Sequence, residues 1–457
     1  MSENSLPNKV RGEIPSEFQG QKRREFLANS AKLTATLGAV AAFPSLLNAA
    51  NSTANSAKNS ANSSANSAAK SGINAKNSQK GAAMSSKNSA KANSNSNSNK
   101  GANSASQNPN ATRPSPQITR TQDGVNFIKV GGTDIEISQI CIGAMSFGKA
   151  GTLHDWTLDS KASEAIIKHA LERGLNFFDT ANIYSAGTSE EYLGKAIKKH
   201  AKREQVVISS KVYFNEGVLS RKAILREIDG TLKRLGTDYL DIYIIHRFDY
   251  TTPIAETMQA LHDVVRAGKV RALGASAMFG YQFANMQAVA RDNALTPFSI
   301  MQNHYNLLYR EDERELIPIC AQQNVTLMPY SPLASGRLAR KEWKSDTLRS
   351  KTDKTAVGKY DKTEAQDKLI AARVSELAGK KGTSMSEIAL AWLLARGAGS
   401  PIIGANKTKY IDEAVKAMSV RLSAAEIAFL EELYLPHNIV GANSEEQARA
   451  SLKNLVK

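Results

Sequence analysis

From Val125 onward the chain alternates short apolar runs with longer amphipathic ones. Val125–Val130, a Gly131-Gly132 turn and Thr133 to Ile137 read as a β-hairpin, two alternating runs about a flexible pair. After it come eight short apolar segments, at 139–143, 176–179, 206–211, 239–246, 270–276, 299–302, 326–330 and 401–404. Stretches with helical periodicity lie between them, at 160–173, 189–200, 220–235, 254–267, 282–292, 311–323 and 384–395. Strands that alternate with helices form a parallel sheet, because parallel neighbours need helical crossovers. Eight units predict an α/β fold, a (β/α)8 TIM barrel closed at the bottom by the hairpin. An open doubly wound sheet would show Gly-x-Gly-x-x-Gly after its first strand. Gly143-Ala144-Met145-Ser146-Phe147-Gly148 does not match that pattern.

The first 120 residues have a different texture. Arg23-Arg24-Glu25-Phe26-Leu27 precedes a small-residue apolar run from Leu33 to Leu47, too short for a stable transmembrane span. The pattern resembles a twin-arginine (Tat) export signal, which implies the Tat machinery as partner and a periplasmic or otherwise exported location. Without a working signal the location is cytoplasmic. Residues 51–120 repeat Asn, Ser and Ala with scattered Lys, and such a segment has too little apolar surface to offset chain entropy. The predicted organisation is a signal region at 1–50, a disordered low-complexity linker at 51–120 and a barrel with C-terminal helix and tail at 121–457.

Charge follows the same division. The whole chain carries +16, but residues 1–50 hold a net +2 and the linker nine basic residues and no acid, leaving about +5 for 121–457. The linker has no aromatic residue to stack on bases, so no nucleic-acid partner is expected. Two cysteines, Cys141 and Cys320, show no metal-ligand spacing, and no metal site is expected.

The chemistry gathers at strand ends, where a barrel of this kind carries its active site. Asp179, Lys211, His246, Ser276, Gln302 and Tyr330 end successive strands, and Tyr184 follows the second. Carbonyl reduction needs hydride at carbon and a proton at oxygen. A free tyrosine, with a pKa of about 10, is a poor acid near neutrality. A neighbouring ammonium favours the phenolate. Tyr184 is therefore read as the proton donor, Lys211 as its tuner, Asp179 as the lysine's partner and His246 as the residue that orients the carbonyl.

These residues lie in strings similar to the aldo-keto reductase family: 176–184 (NFFDTANIY), 189–194 (SEEYLG), the Lys211 strand, 241–246 (DIYIIH) and 302–308 (QNHYNLL). The resemblance spans roughly Val125 to Leu433. It implies an oxidoreductase with an extended NADPH across the barrel mouth (NADH as the alternative) and a small-molecule carbonyl substrate. Ser276 and Gln302 would hold the carboxamide, and Tyr330 would stack on the nicotinamide. Ser331, Leu333, Ser335 and Gly336 belong to the string that resembles the pyrophosphate cradle, and Asn406, Lys407 and Glu413 to the adenine end. Ala277 stands where the family usually has Asn, Tyr410 where Arg is common, and Ala414 replaces an Asn. Trp156 and Tyr213 are expected in the substrate pocket. Two other readings fit a chain of this kind. One is a weakly catalytic nucleotide-binding partner resembling channel β-subunits, and the other is a tethered surface protein. The converging polar set favours the enzyme.

Overall fold

The computed structural model describes residues 115–440, apart from 153, 344 and 345. The export-signal reading and nearly all of the expected linker lie outside these residues. Three strands, β1 (Ile118–Gln122), β2 (Val125–Lys129) and β3 (Glu136–Ser138), pair antiparallel in that order. The expected hairpin is thus β2–β3, and β1 adds to its edge. The chain is already in regular structure at Ile118, ahead of the expected boundary at 121. The apolar periodicity could not reveal β1, because all five of its residues are exposed. Instead Arg120 stacks over Phe127, 3.4 Å from the ring centroid, and bonds Glu136 at 2.6 Å.

Eight parallel strands follow: β4 (Cys141–Gly143), β5 (Phe177–Asp179), β6 (Val207–Val212), β7 (Leu240–Ile245), β8 (Val270–Ser276), β9 (Phe298–Gln302), β10 (Thr326–Leu327) and β11 (Ile402–Gly404). They lie in the order β10-β9-β8-β7-β6-β5-β4-β11. The sheet curls until its two ends meet, and Ile402 N–H donates to the Pro329 carbonyl at 2.9 Å. That closure explains the shortness of β10. Pro329 has no N–H for a ladder, so it fits only at a seam where its carbonyl alone is used. All eight strands coincide with the apolar runs of the sequence.

The helices α1 (Ser160–Glu172), α2 (Thr188–His200), α3 (Arg221–Leu235), α4 (Ile254–Arg266) and α5 (Gly280–Asp292) are the expected crossovers. α6 covers only Leu316–Gln322 of the stretch predicted from 311. Pro318 lacks the donor an inner turn requires, so it sits in the first turn and sets the start. The segment after β10 is not a plain loop. It contains α7 (Leu348–Thr352) and α8 (Lys354–Tyr360), and leads into α9 (Glu364–Lys381) and α10 (Met385–Ala395). α11 (Thr408–Ala417) and α12 (Ala424–Glu431) complete the described chain. Among the described residues no helix is long and apolar enough to cross a membrane.

Helix contacts impose their own residue choices. A Cβ on Gly194, in α2, would collide with the Leu235 carbonyl at the end of α3. Gly194→Ala is expected to destabilise by about 1–3 kcal/mol through overpacking. A lowered urea midpoint would show it, and an unchanged midpoint would refute so close a crossing.

Two apolar cores result. One lies between the strands and the outer helices. The other fills the barrel, where Ile128, Val130, Ile135 and Ile137 of the hairpin region pack against Cys141, Phe177, Val207 and Ile242. Each such side chain contributes roughly 1.5–3 kcal/mol when fully buried. The hairpin therefore closes the bottom as expected and leaves chemistry to the other end. Cys141 opens an inner strand rather than ending one, and Cys320 lies on α6. Both are buried, and no disulfide joins them.

Candidate active site

Inward positions on a strand recur every second residue. Following that period from the filled interior toward the strand ends gives Phe177 then Asp179, Val207 then Ser209 and Lys211, and Ile242 then Ile244 and His246. The same step leads from Ala272 through Gly274 to Ser276, from Ile300 to Gln302, and from Met328 to Tyr330. The apolar plug and the polar mouth are one alternating pattern, changing character at the top.

Lys211 is fully buried. Its Nζ donates to Asp179 Oδ2 at 2.6 Å, to the Thr180 carbonyl at 2.7 Å and to Tyr184 Oη at 3.3 Å. Asp179 Oδ1 accepts from Ser209 Oγ at 2.7 Å and Gln302 Nε2 at 3.1 Å. A buried ammonium needs such partners to remain charged. Burial pulls the Lys211 pKa down, but Asp179 and Tyr184 together hold it above the ordinary lysine value. Asp179 is thus the lysine's partner, as the sequence implied.

Tyr184 begins a tight turn. Ser185, Ala186 and Gly187 after it all have left-handed backbones, with φ of 47°, 53° and 89°. Thr188 Oγ1 pins the turn by donating to the Ser185 carbonyl at 2.7 Å. The chain therefore reverses into α2 and leaves the phenol beside Lys211. Burial raises the Tyr184 pKa above its ordinary value, and the Lys211 charge offsets only part of that rise. The lysine pulls the phenol down, as expected, but burial outweighs it and the net shift is upward: the sequence shows the charge but not the burial.

His246 packs edge-on to Tyr184, with centroids 5.8 Å apart. Burial, then the Lys211 and Arg247 charges, keep the imidazole well below its ordinary pKa and hence neutral. Its Nδ1 has no hydrogen-bond partner among the described residues. Of the two residues expected in the pocket, neither forms a ring contact with this histidine among the described residues. Tyr213 packs on Phe214, and it is Phe214 that meets His246, at 5.1 Å. Trp156 is sandwiched farther out, stacked with His154 at 4.5 Å and covered by Arg349 of α7 at 4.4 Å. The segment carrying α7 and α8 is therefore a strap laid against the loop after β4.

Ser276 and Gln302 are register partners on β8 and β9, both nearly fully buried. The Gln302 Nε2 donates to Asp179, so its Oε1 is the amide's remaining acceptor. Tyr330 is half-buried, with His304 stacked parallel at 5.2 Å and Tyr309 stacked in turn on His304 at 4.1 Å. In the loop that follows, Ser331, Ala334, Ser335 and Gly336 all have positive φ. The N–H groups of Ala334, Gly336, Arg337 and Leu338 close these turns by donating to carbonyls within the loop, at 2.9, 2.8, 3.2 and 3.3 Å. Leu333 is the half-buried residue within that loop. Asn406 and Lys407 are exposed where α11 begins, and Glu413 lies half-buried within that helix. Ala414 is buried and Tyr410 is exposed beneath Lys409. Ala277 occupies a left-handed conformation, φ 48°, which Asn tolerates better than Ala. The sequence reading missed Phe214, Arg247, His304 and Lys359 at this mouth. Arg247 and Phe214 each adjoin a residue that was singled out.

A family model for the aldo/keto reductases matches residues 139–435. The chain belongs to the aldo/keto reductase family. It is 40% identical over 340 residues to versiconal hemiacetal acetate reductase of Aspergillus parasiticus, covering 69% of this chain and 98% of that one. A Saccharomyces cerevisiae chain carrying an aryl-alcohol dehydrogenase name is 40% identical over 338 residues, covering 68% and 98%. The crystal structure of a thermostable aldo-keto reductase with the inhibitor epalrestat superposes with a TM-score of 0.55 at 30% identity, covering 67% of this chain and 99% of that one. All these matches fall on the barrel. The protein is an oxidoreductase.

Proposed function

We propose that the protein reduces aldehydes or ketones to alcohols with NADPH, Tyr184 delivering the proton. The observation that carries this is the chain of contacts from Asp179 through Lys211 to the Tyr184 hydroxyl, beside a neutral imidazole at the barrel mouth.

When bound, the nicotinamide nucleotide supplies the hydride. Tyr330 would back its ring, Ser276 and the Gln302 Oε1 would hold its carboxamide, the loop at 331–336 would take the pyrophosphate, and Asn406, Lys407 and Glu413 would meet the adenosine end. The donor set fits such a ligand: a flat shelf, a buried amide, a tightly turned loop of small residues and an exposed cation at a helix start. The raised pKa of Tyr184 suits reduction. The phenol keeps its proton at neutral pH, and an alkoxide forming at the carbonyl oxygen is far more basic than a phenolate. Lys211 stabilises the phenolate left behind, and Asp179 holds that ammonium in place. His246 is placed to direct the carbonyl oxygen by a hydrogen bond. Phe214 offers a partly exposed aromatic face beside His246, which supports aromatic carbonyl substrates. The aryl-alcohol dehydrogenase name among the relatives supports the same substrate class. The export reading of Arg23-Arg24 belongs to this proposal as well, supported by the sequence pattern alone.

Fluorescence titration of the purified full chain with NADPH and NADH, followed by turnover of an aromatic aldehyde, tests the reading. NADPH is expected to bind more tightly. Lys407→Ala is expected to weaken NADPH, but not NADH, by about tenfold, the equivalent of one lost charge-assisted contact. Equal binding of the two nucleotides would reject the choice of NADPH. No binding of either would reject the function.

A further inference from the structure

The barrel mouth holds two cations that the reaction does not use. Arg247 directly follows His246 at the end of β7. Its guanidinium lies 4.9 Å from the Phe214 ring centroid, and that ring packs on His246. Arg247 has no acidic partner among the described residues, whereas Arg203, Arg234, Arg310, Arg337 and Arg349 all do. The carboxylate two residues on is already engaged. Asp249 accepts from Leu219 and Thr251 N–H at 3.1 and 2.8 Å, and from the Thr251 and Thr252 hydroxyls at 2.6 Å each.

The second cation arrives from the strap. Lys359 of α8 places its Nζ over the Tyr330 ring, 4.6 Å from the centroid, and it too forms no ion pair among the described residues. Its closest acid, Asp353, pairs with Arg349 at 3.2 Å and caps α8 through the Ala356 N–H at 2.9 Å. Burial, opposed in part by Asp353 and reinforced by Arg247 and Arg349, lowers the Lys359 pKa to about 8. Two elements far apart in sequence thus bring unpaired positive charge to one opening. Such an arrangement favours an anion and disfavours cationic ligands.

We propose that Arg247 and Lys359 recognise an anionic group on the substrate, so that the preferred substrates are aromatic carbonyl compounds that also bear a carboxylate. This rests on the reductase reading above. The reading above assigns the nucleotide's phosphates to the loop after Tyr330 and to the start of α11. Arg247 instead stands beside Phe214 and His246, where the reacting carbonyl would lie. An aromatic ring on Phe214 would set its carbonyl toward His246 and a carboxylate toward Arg247 and Lys359.

The test assays the full chain, with NADPH present, on 4-carboxybenzaldehyde and on its methyl ester, which differ in charge at one end. The acid is expected to exceed the ester in kcat/KM by about tenfold, carried by KM. In Arg247→Gln that ratio is expected to fall toward one with the NADPH Kd held, and in Lys359→Met, which alters the face of Tyr330, the acid-to-ester ratio alone is the readout and is expected to fall likewise. Equal turnover of acid and ester by the unaltered protein would overturn the proposal and leave the reductase reading standing. No turnover of either would overturn both. Loss of NADPH affinity in the variants, with the acid preference retained, would assign the two cations to the nucleotide and overturn the proposal.

Discussion

Tyr184→Phe is expected to lower kcat by about 10²–10⁴-fold, the usual contribution of a positioned acid, while NADPH affinity stays near that of the parent. The expectation follows from how little else the substitution changes. The phenol makes one side-chain hydrogen bond, from Lys211 at 3.3 Å, and Lys211 keeps its shorter bonds to Asp179 and the Thr180 carbonyl. The ring still packs on His246. The lost hydroxyl therefore shows in turnover far more than in folding. Single-turnover hydride transfer under saturating NADPH checks it. A variant that keeps full turnover would move the proton donor elsewhere and undo the reading built on it.

Lys211→Met should be costly in both respects. It removes the ammonium paired with a nearly fully buried Asp179, and breaking a buried pair in this way costs about 3–5 kcal/mol. Activity should fall by a factor comparable to that of Tyr184→Phe, because the phenolate loses its stabilising charge. Urea unfolding separates the two effects. The double variant Asp179→Asn with Lys211→Met is expected to recover much of the stability, since no unpaired charge remains, but none of the turnover. If the double variant were as unstable as the single one, the loss would come from packing, and the ion pair would not be what holds this part of the barrel.

How much of this was open to reading from the chain differs by element. The eight inner strands are legible because each must bury both faces and so reads as a short apolar run between polar stretches. The polar set proposed as catalytic is legible for the same reason: Asp179, Lys211 and His246 are polar where the apolar run stops. β1 is not legible, since exposed residues held by Arg120, Phe127 and Glu136 leave no apolar period. The strap is not legible either, because five- and seven-residue helices are too short for periodicity to show and their partners lie across the mouth on Trp156 and Tyr330.

The sequence by itself determined the barrel, its closed bottom and the four polar residues at its mouth, since these follow from local period and residue type. Only the tertiary structure decided the state of those groups and their company. Burial is a property of surroundings assembled from many segments, and it reverses the expected direction for Tyr184. Likewise Arg247 and Lys359 are more than a hundred positions apart along the chain. That they face one opening without a counter-charge follows from where closure of the barrel carries β7 and the strap, which no local pattern encodes.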